Sequence, residues 1–148
     1  MKAKKCLFFT VILAVAIIMF VMTFVIGYRA VDHMFPKAKP IDCPEIESIT
    51  SASLTKDTDE STSIAGDDYA VFLKNIQEAK PTRTMSVNDY PAVESYYMIE
   101  IVSAEREYPY YIYLYEDAAE VFLEMPYEGI YKSNQEFYDF VATYFEEK

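Results

Sequence analysis

The chain has 148 residues, of which 52% are hydrophobic and 25% charged, and its net charge is −11. It contains one histidine, two cysteines and three glycines, too few for histidine-based triads, zinc sites or glycine-rich phosphate loops. The acidic charge argues against nucleic acid or anionic lipid as a partner. Paired carboxylates, as in glycosidases, remain possible, but among 24 acidic residues such a pair carries little weight. The sequence therefore predicts no enzyme, no cofactor and no metal site.

Residues 7–28 form an apolar run without a charged residue. At about 1.5 Å of rise per residue, a helix of this length covers about 33 Å, enough for a hydrocarbon core of about 30 Å. The run is longer than the apolar core of a cleaved signal peptide. Tyr28 is also too large for its position before a cleavage site after Ala30. Residues 1–28 are therefore predicted as a short cytoplasmic tip and an uncleaved transmembrane anchor.

Basic residues precede the anchor at Lys2, Lys4 and Lys5. By the positive-inside rule this end is cytoplasmic. The sequence thus predicts a single-pass protein of the cell membrane with an extracytoplasmic carboxyl-terminal domain. Cys6 and Cys43 would then lie on opposite sides of the membrane, which excludes a disulfide between them.

Residues 29–45 are predicted as an extended stalk, because they contain Pro36, Pro40 and Pro44. Each proline fixes φ and disfavours helix in the residue before it. The only histidine, His33, is interpreted as a solvated residue of this linker.

Residues 46–148 alternate between strand and helix periodicity, with apolar residues at period two or at i, i+3, i+4 and i+7. The predicted elements are a strand up to Thr55, a polar turn, a helix capped by Asp67 or Asp68, a strand from Tyr96 to Ser103, a hairpin from Tyr108 to Met125, a short strand near Ile130, and a helix capped by Ser133 with Glu136. The fold class is α+β: an N-terminal transmembrane helix, then a small antiparallel sheet with two helices packed on one face.

The hairpin supplies the candidate binding residues. Successive strand side chains point to opposite faces, so Ile112 and Leu114 share an inner face while Tyr111, Tyr113 and Tyr115 share the outer one. If helices cover the inner face, the three tyrosines form an exposed aromatic strip suited to ligand binding. The alternative, which the sequence leaves open, is that they pack under a helix or a loop.

One segment approaches a calcium-loop template, with Asp57, Asp59, Ser61 and Asp68 at the first, third, fifth and twelfth positions. Thr62 occupies the position that needs glycine, and no helix precedes the segment. A solvated acidic turn is therefore the favoured interpretation.

Residues 41–148 hold 23 of the 24 acidic residues but seven basic ones, which gives this part of the chain a net charge of −16. Such a surface attracts cationic partners. A cationic peptide, or a basic patch on a membrane protein, is the partner that the charge favours.

Two segments, KPTRTMSVNDYP at residues 80–91 and EMPYEGIY at residues 124–131, resemble the signature segments of an uncharacterised family of small exported or membrane-anchored domains from Gram-positive bacteria. The resemblance covers roughly residues 45–146. It implies an extracytoplasmic location and a small α+β domain, and it assigns no activity or ligand. Members of that family have a glycine in the hairpin turn where this chain has Glu116–Glu120.

The favoured function is a membrane-anchored extracytoplasmic recognition or sensing domain without catalytic activity. A second hypothesis is an accessory or structural subunit whose transmembrane helix packs on another membrane protein. A third is a binder of cationic antimicrobial peptides.

Overall fold

The computed structural model describes the backbone of residues 2–146 and the side chains of residues 12–146, and it divides after Pro36 into two units. The side chains of the predicted basic cluster and of Cys6 lie outside the described residues. The helices and strands are α1 (Lys2–Met34), β1 (Ile49–Lys56), β2 (Glu60–Ser63), α2 (Tyr69–Glu78), β3 (Lys80–Pro81), β4 (Tyr97–Ser103), β5 (Tyr110–Asp117), β6 (Glu120–Met125), β7 (Gly129–Lys132) and α3 (Gln135–Ala142).

The first unit is the helix α1. Its segment Ile12–Met34 is long and apolar enough to cross a membrane, with a mean hydropathy of 2.2. The Thr23 hydroxyl donates to the Met19 carbonyl oxygen at 2.8 Å, so this polar group is satisfied inside the helix. The helix continues past Tyr28 to Met34 and places His33 in its last turn, not in an extended linker.

The second unit is built on a seven-stranded antiparallel sheet in the order β2-β1-β4-β5-β6-β7-β3. The predicted hairpin is β5 and β6, with Leu114 opposite Leu123. α2 and α3 cover the inner face, where the Phe72 and Phe137 rings meet edge to face at 5.5 Å. The predicted α+β fold is thereby confirmed.

The inner face of the sheet is the centre of the core. Its most deeply buried side chains are Leu54, Ile99, Ile101, Ile112, Leu114 and Leu123. Each such side chain stabilises the fold by about 1.5–3 kcal/mol relative to an exposed one. The alternation in the sequence identifies this face correctly. Tyr108, predicted as the start of the hairpin, lies outside β5 and is exposed.

Two short edge strands and one helix cap differ from the sequence prediction. The structure forms a strand, β2, where the sequence predicts a turn, because the residues ESTS show no apolar alternation. The second edge strand, β3, is two residues long. The cap of α3 is Asn134, whose Oδ1 accepts from the Phe137 backbone N–H at 2.8 Å, in place of the predicted Ser133.

Residues 37–45, predicted as the outer part of a free stalk, pack on the domain. Ala38 and Ile41 are 6% and 7% exposed. The Ala38 N–H donates to the Thr82 carbonyl oxygen at 3.0 Å, and the Tyr131 hydroxyl donates to the Lys39 carbonyl oxygen at 2.8 Å. The segment therefore belongs to the folded unit.

Candidate functional site

The long loop between β3 and β4 begins as an extension of the sheet. The Thr82 N–H donates to the Ile130 carbonyl oxygen, and the Ile130 N–H donates to the Thr84 carbonyl oxygen, both at 3.0 Å. At its far end the Asp57 carboxylate accepts from the Tyr96 N–H at 2.9 Å and from the Ser95 hydroxyl at 3.1 Å. Both ends of the loop are thus held by neighbouring strands and turns.

Between these ends the loop contacts the β6–β7 region on the outer face of the sheet. Ser86 Oγ donates to Glu124 Oε1 at 2.6 Å, and the Tyr127 hydroxyl donates to Asp89 Oδ1 at 2.7 Å. The two segments that carry the family resemblance, residues 80–91 and 124–131, therefore lie against each other.

Glu124 is a buried carboxylate at the centre of this contact. It is 5% exposed, and Ser86 beside it is 4% exposed. The Tyr115 hydroxyl donates to its second oxygen at 3.2 Å. Burial, together with this carboxylate, raises the pKa of Tyr115 above its ordinary value. A buried carboxylate is costly without hydrogen-bond donors, and the two hydroxyls satisfy it. The Ser86 hydroxyl thereby ties the loop to the sheet.

A serine beside a carboxylate also resembles a nucleophile with a general base. Here both side chains are buried, Ser86 in the loop and Glu124 on β6. The hydrogen bond between Ser86 and Glu124 thus holds the loop on β6.

The turn between β6 and β7 is backbone-strained at Tyr127. The Glu128 N–H donates to the Met125 carbonyl oxygen at 3.1 Å, with Pro126 second and Tyr127 third in the turn. The φ of Tyr127 is 61°, a value that this turn type normally assigns to glycine or asparagine. In this conformation the large, 63% exposed Tyr127 side chain bonds Asp89 of the loop.

The three candidate tyrosines of the outer face are not equally exposed. Tyr111 is 41% exposed, whereas Tyr113 and Tyr115 are 8% and 6% exposed. The Tyr96 ring, at the end of the loop, meets the Tyr113 ring edge to face at 5.3 Å. Of the two alternatives that the sequence leaves open, the exposed strip therefore holds for Tyr111 alone. Tyr96 packs on Tyr113, and Tyr115 lies beside the Phe122 ring and bonds the buried Glu124.

The loop itself carries the exposed apolar side chains that the sequence analysis did not single out. Met85, Val87 and Tyr90 are 50%, 72% and 61% exposed, and the exposed Tyr127 bonds Asp89 of the same loop. We call Met85, Val87, Tyr90 and Tyr127 the loop patch. The available signal was the length of the loop combined with large apolar residues between its polar ones.

A shallow cleft of about 390 Å³ lies at the core-facing side of the sheet, where Tyr110, Met125 and Glu128 line it. Asp42 and Glu105 line it as well. The Arg106 guanidinium lies over the Tyr110 ring there, with its Cζ atom 4.4 Å from the ring centroid. The cleft thus contains a cation–π contact within a group of carboxylates.

The residues of the calcium-loop template do not assemble into a site. Asp57 is engaged by Ser95 and Tyr96, and Asp68 accepts a hydrogen bond from Tyr144. Among the described residues no cluster of three or more potential metal ligands occurs.

Comparison with known proteins agrees with this architecture. A family model, DUF5301, described as "Domain of unknown function (DUF5300)", matches residues 37–132. The chain belongs to this family. A solved structure described as "NMR structure of the protein from Ruminococcus gnavus" is 25% identical, with a TM-score of 0.53, and the match covers 62% of this chain and 89% of that one. No curated protein matches the chain at a significant level.

The DUF5301 match begins at Lys37 and ends at Lys132. It therefore includes the docked segment 37–45, the long loop and the strained turn, and it leaves out α1 and α3. The predicted resemblance to an uncharacterised domain family is confirmed, with boundaries shifted toward the amino terminus.

Proposed function

We propose that this DUF5301 protein is a membrane-anchored, extracytoplasmic recognition domain that binds a protein partner through the loop patch. The observation that carries the proposal is that Met85, Val87, Tyr90 and Tyr127 expose large apolar surfaces on a loop fastened to the sheet by a buried carboxylate. Exposed apolar clusters on loops held by a rigid scaffold are typical of interaction sites.

The fastening also lowers the entropic penalty of binding. A free loop loses conformational freedom when it binds, at about 0.5–1.5 kcal/mol for each immobilised side chain, together with the ordering of its backbone. The bonds from Ser86 to Glu124 and from Tyr127 to Asp89 order the backbone of this loop before any partner arrives. The tyrosines of the patch combine large contact area with few rotatable bonds.

The anchor in this proposal is α1. Its segment Ile12–Met34 has the length and hydropathy of a membrane span, and the basic residues Lys2, Lys4 and Lys5 before it favour a cytoplasmic amino terminus. The domain that follows then lies on the extracytoplasmic side.

The proposal is non-catalytic because the chemistry of the domain is poor in reactive groups. Residues 37–148 contain no histidine. Burial, with Asp42 nearby, raises the pKa of the Cys43 thiol to about 11, which disfavours the reactive thiolate.

Site-specific photo-crosslinking in intact cells tests the proposal. A photoreactive amino acid replaces Val87 in the loop patch, Val71 on the exposed side of α2 as the matched control, or Phe20 on α1. We expect one partner protein to be captured from position 87 and not from position 71. Equal capture from 87 and 71 would contradict the proposal, and a partner captured from position 20 alone would support the accessory-subunit hypothesis instead.

A further inference from the structure

Basic residues are concentrated in three segments of an otherwise acidic domain. Residues 37–41, 79–84 and 129–133 contain no aspartate or glutamate. They hold five of the nine basic residues between positions 37 and 148, namely Lys37, Lys39, Lys80, Arg83 and Lys132. The other four basic residues share the rest of the domain with 23 acidic ones. The charge of the domain is therefore segregated.

The three basic segments are neighbours in the fold. Lys80 lies opposite Lys132 in the antiparallel pair of β3 and β7. The Ala38 N–H donates to the Thr82 carbonyl oxygen at 3.0 Å, which joins the docked segment to the end of β3. We call the three segments together the basic edge, because β3 is the terminal strand of the sheet.

The lysine side chains of the basic edge are accessible to an external anion. Four of them are exposed, at Lys37, Lys39, Lys80 and Lys132. Lys132 pairs with Glu120 at 2.5 Å, whereas the other three have no ion-pair partner among the described residues. Arg83 is half-buried and has an interaction partner of its own. Three lysine charges at this edge are thus not neutralised by a carboxylate of the described chain.

The opposite border of the sheet is acidic. The strand order places β2 six strand spacings, or about 29 Å, from β3. Asp59 and Glu60 are exposed at the start of β2. The sheet therefore carries a charge dipole along its strand order, and a negatively charged surface attracts the β3 border and repels the β2 border.

The basic edge also begins close to the membrane anchor along the chain. α1 ends at Met34, and Phe35 and Pro36 separate it from Lys37. The chain from Met34 to Lys37 spans at most about 11 Å when extended. The helical residues between Tyr28, where the apolar run ends, and Met34 add about 9 Å. The chain itself therefore keeps Lys37 within about 20 Å of the end of the apolar run.

We propose that the basic edge contacts anionic lipid headgroups of the membrane that holds α1, and that this contact orients the domain with β2 away from the lipid. The acidic net charge argues against anionic lipid for the domain as a whole, but the segregation of charge removes this objection at the β3 border. Lysines near an anionic surface are attracted to it, and the tether keeps the edge at a high effective concentration there. This inference rests on the anchor in the proposed function and not on the loop patch.

The test measures the distance of each border of the sheet from the lipid in the full chain. A fluorescent amino acid replaces Thr84 at the basic edge or Ser63 on β2, both of which are exposed. The chain is placed in nanodiscs of phosphatidylcholine alone, or of equal parts of phosphatidylcholine and phosphatidylglycerol. Both kinds contain the same share of phosphatidylcholine with a nitroxide on its headgroup, which quenches fluorophores close to the membrane surface.

Three double variants show whether the charge of the basic edge is responsible. K39Q/K80Q removes two of its unpaired lysines, and K39R/K80R keeps their charge. K56Q/K74Q is the matched control, because it changes the net charge by the same amount on β1 and α2, outside the basic edge. None of these substitutions lies in the loop patch.

We expect quenching at position 84 to be at least about twofold stronger in the anionic nanodiscs than in the zwitterionic ones, with no such increase at position 63. K39Q/K80Q removes most of the increase, since losing two lysines near the surface weakens the attraction about tenfold or more. K39R/K80R and K56Q/K74Q retain it. Raised ionic strength reduces it, because the screening length is about 8 Å at physiological salt and shorter above.

Equal quenching at position 84 in the two lipids would overturn the inference and would leave an acidic protein as the partner of this edge. Equal losses in K39Q/K80Q and K56Q/K74Q, or an equal increase at positions 63 and 84, would overturn it too. These outcomes leave the proposed recognition function intact, which crosslinking at Val87 tests separately. A chain that is not retained in the nanodiscs would instead refute the anchor, and the inference with it.

Discussion

Ser86 contributes to the structure through one hydrogen bond to a buried carboxylate. Replacing it by alanine leaves Glu124 with fewer donors in a site that is 5% exposed. Leaving a buried polar group unsatisfied costs about 1–3 kcal/mol, and more when the group is charged.

We expect Ser86→Ala to lower the free energy of unfolding by about 1–3 kcal/mol and to speed amide hydrogen exchange in the loop more than in β5. Urea unfolding and hydrogen exchange with mass spectrometry provide the measurements. Ser63→Ala, at an exposed position of β2, is the control and leaves both unchanged. Loop exchange at the rate of the unaltered protein would show that the Glu124 bond does not hold the loop.

Gly129 allows the docked segment to approach the sheet. A Cβ atom on this residue would lie 2.4 Å from the Cβ of Ala38, far inside van der Waals contact. The glycine is therefore required for space, and its φ is not in the left-handed region.

Gly129→Ala is expected to lower the free energy of unfolding by about 1–3 kcal/mol, because residues 37–41 must shift. The combination with Ala38→Gly, which removes the clashing methyl group, restores part of the loss. A double-mutant cycle from urea unfolding measures the coupling. Strictly additive effects would mean that the two residues do not meet.

At the scale of elements, the β5–β6 turn is under strain. Ala118 and Ala119 have φ values of 49° and 62°, the left-handed conformation that a two-residue hairpin turn of this type requires. Left-handed backbone costs an ordinary L-residue about 1–2 kcal/mol.

Ala118→Asn combined with Ala119→Gly is expected to raise the free energy of unfolding by about 1–2 kcal/mol, because these residues tolerate positive φ. Ala70→Gly in α2 is the control for glycine itself and is expected to lower stability by about 1 kcal/mol. Thermal unfolding monitored by circular dichroism distinguishes the two directions. A destabilised turn variant would contradict the assigned turn geometry.

Two neighbouring polar residues at the start of α3, Ser133 and Asn134, have different roles. Asn134 caps the helix, and its side-chain amide also donates to Asn75 Oδ1 at 3.2 Å. The Ser133 hydroxyl oxygen is buried and has no hydrogen-bond partner.

We therefore expect Asn134→Ala to lower the free energy of unfolding by about 1 kcal/mol through loss of the cap. Ser133→Ala is expected to be neutral or to stabilise the domain, because it removes an unsatisfied polar atom. Urea unfolding of both variants measures the two effects, and each variant is the control for the other. The reverse order would restore Ser133 as the cap that the sequence predicts.

At the scale of the whole molecule, many phenols are buried or lie beside carboxylates. Burial, with Tyr138 nearby, raises the pKa of Tyr97 to about 12. Burial and the hydrogen bond to Asp68 raise the pKa of Tyr144 to about 12. The pKa of a tyrosine in the unfolded chain is about 10, so the folded state holds these protons more tightly.

The stability contributed by these tyrosines is complete below a pH of about 10 and is lost as the pH rises to about 12. Urea unfolding across this window should show a steady fall in the free energy of unfolding. Tyr97→Phe reduces the fall, while Tyr108→Phe, at a 73% exposed position, leaves it unchanged. Constant stability across the window would contradict the burial of these phenols.

The sequence predicts the parts of the domain that are governed by local periodicity. Alternation in β5 identifies Ile112 and Leu114 as core residues, and both are at most 1% exposed. Spacing likewise predicts α2 and the existence of α3. In these elements apolar residues recur with the period of the strand or the helix, so the sequence identifies each residue that faces the core.

The parts that the sequence does not predict depend on the path of the chain between elements. The same alternation places Tyr113 and Tyr115 on the outer face, but it does not show that Tyr96 packs on Tyr113 or that Tyr115 bonds the buried Glu124. Residues 37–45 attach through two apolar side chains and two backbone contacts, which leave no periodic pattern. The contact of Tyr127 with the loop also leaves no local pattern, because its bond to Asp89 joins segments that are distant in the sequence.

The docking of residues 37–41 has a mechanical consequence for the domain. A pull on the chain at Lys37 loads the hydrogen bonds from Ala38 to Thr82 and from Tyr131 to Lys39 before it reaches the central strands. Thr82 is the first residue of the loop that carries Met85, Val87 and Tyr90. Tension on this end of the chain is therefore borne first by the contacts at Thr82 and Tyr131 and not by the ladder between the central strands.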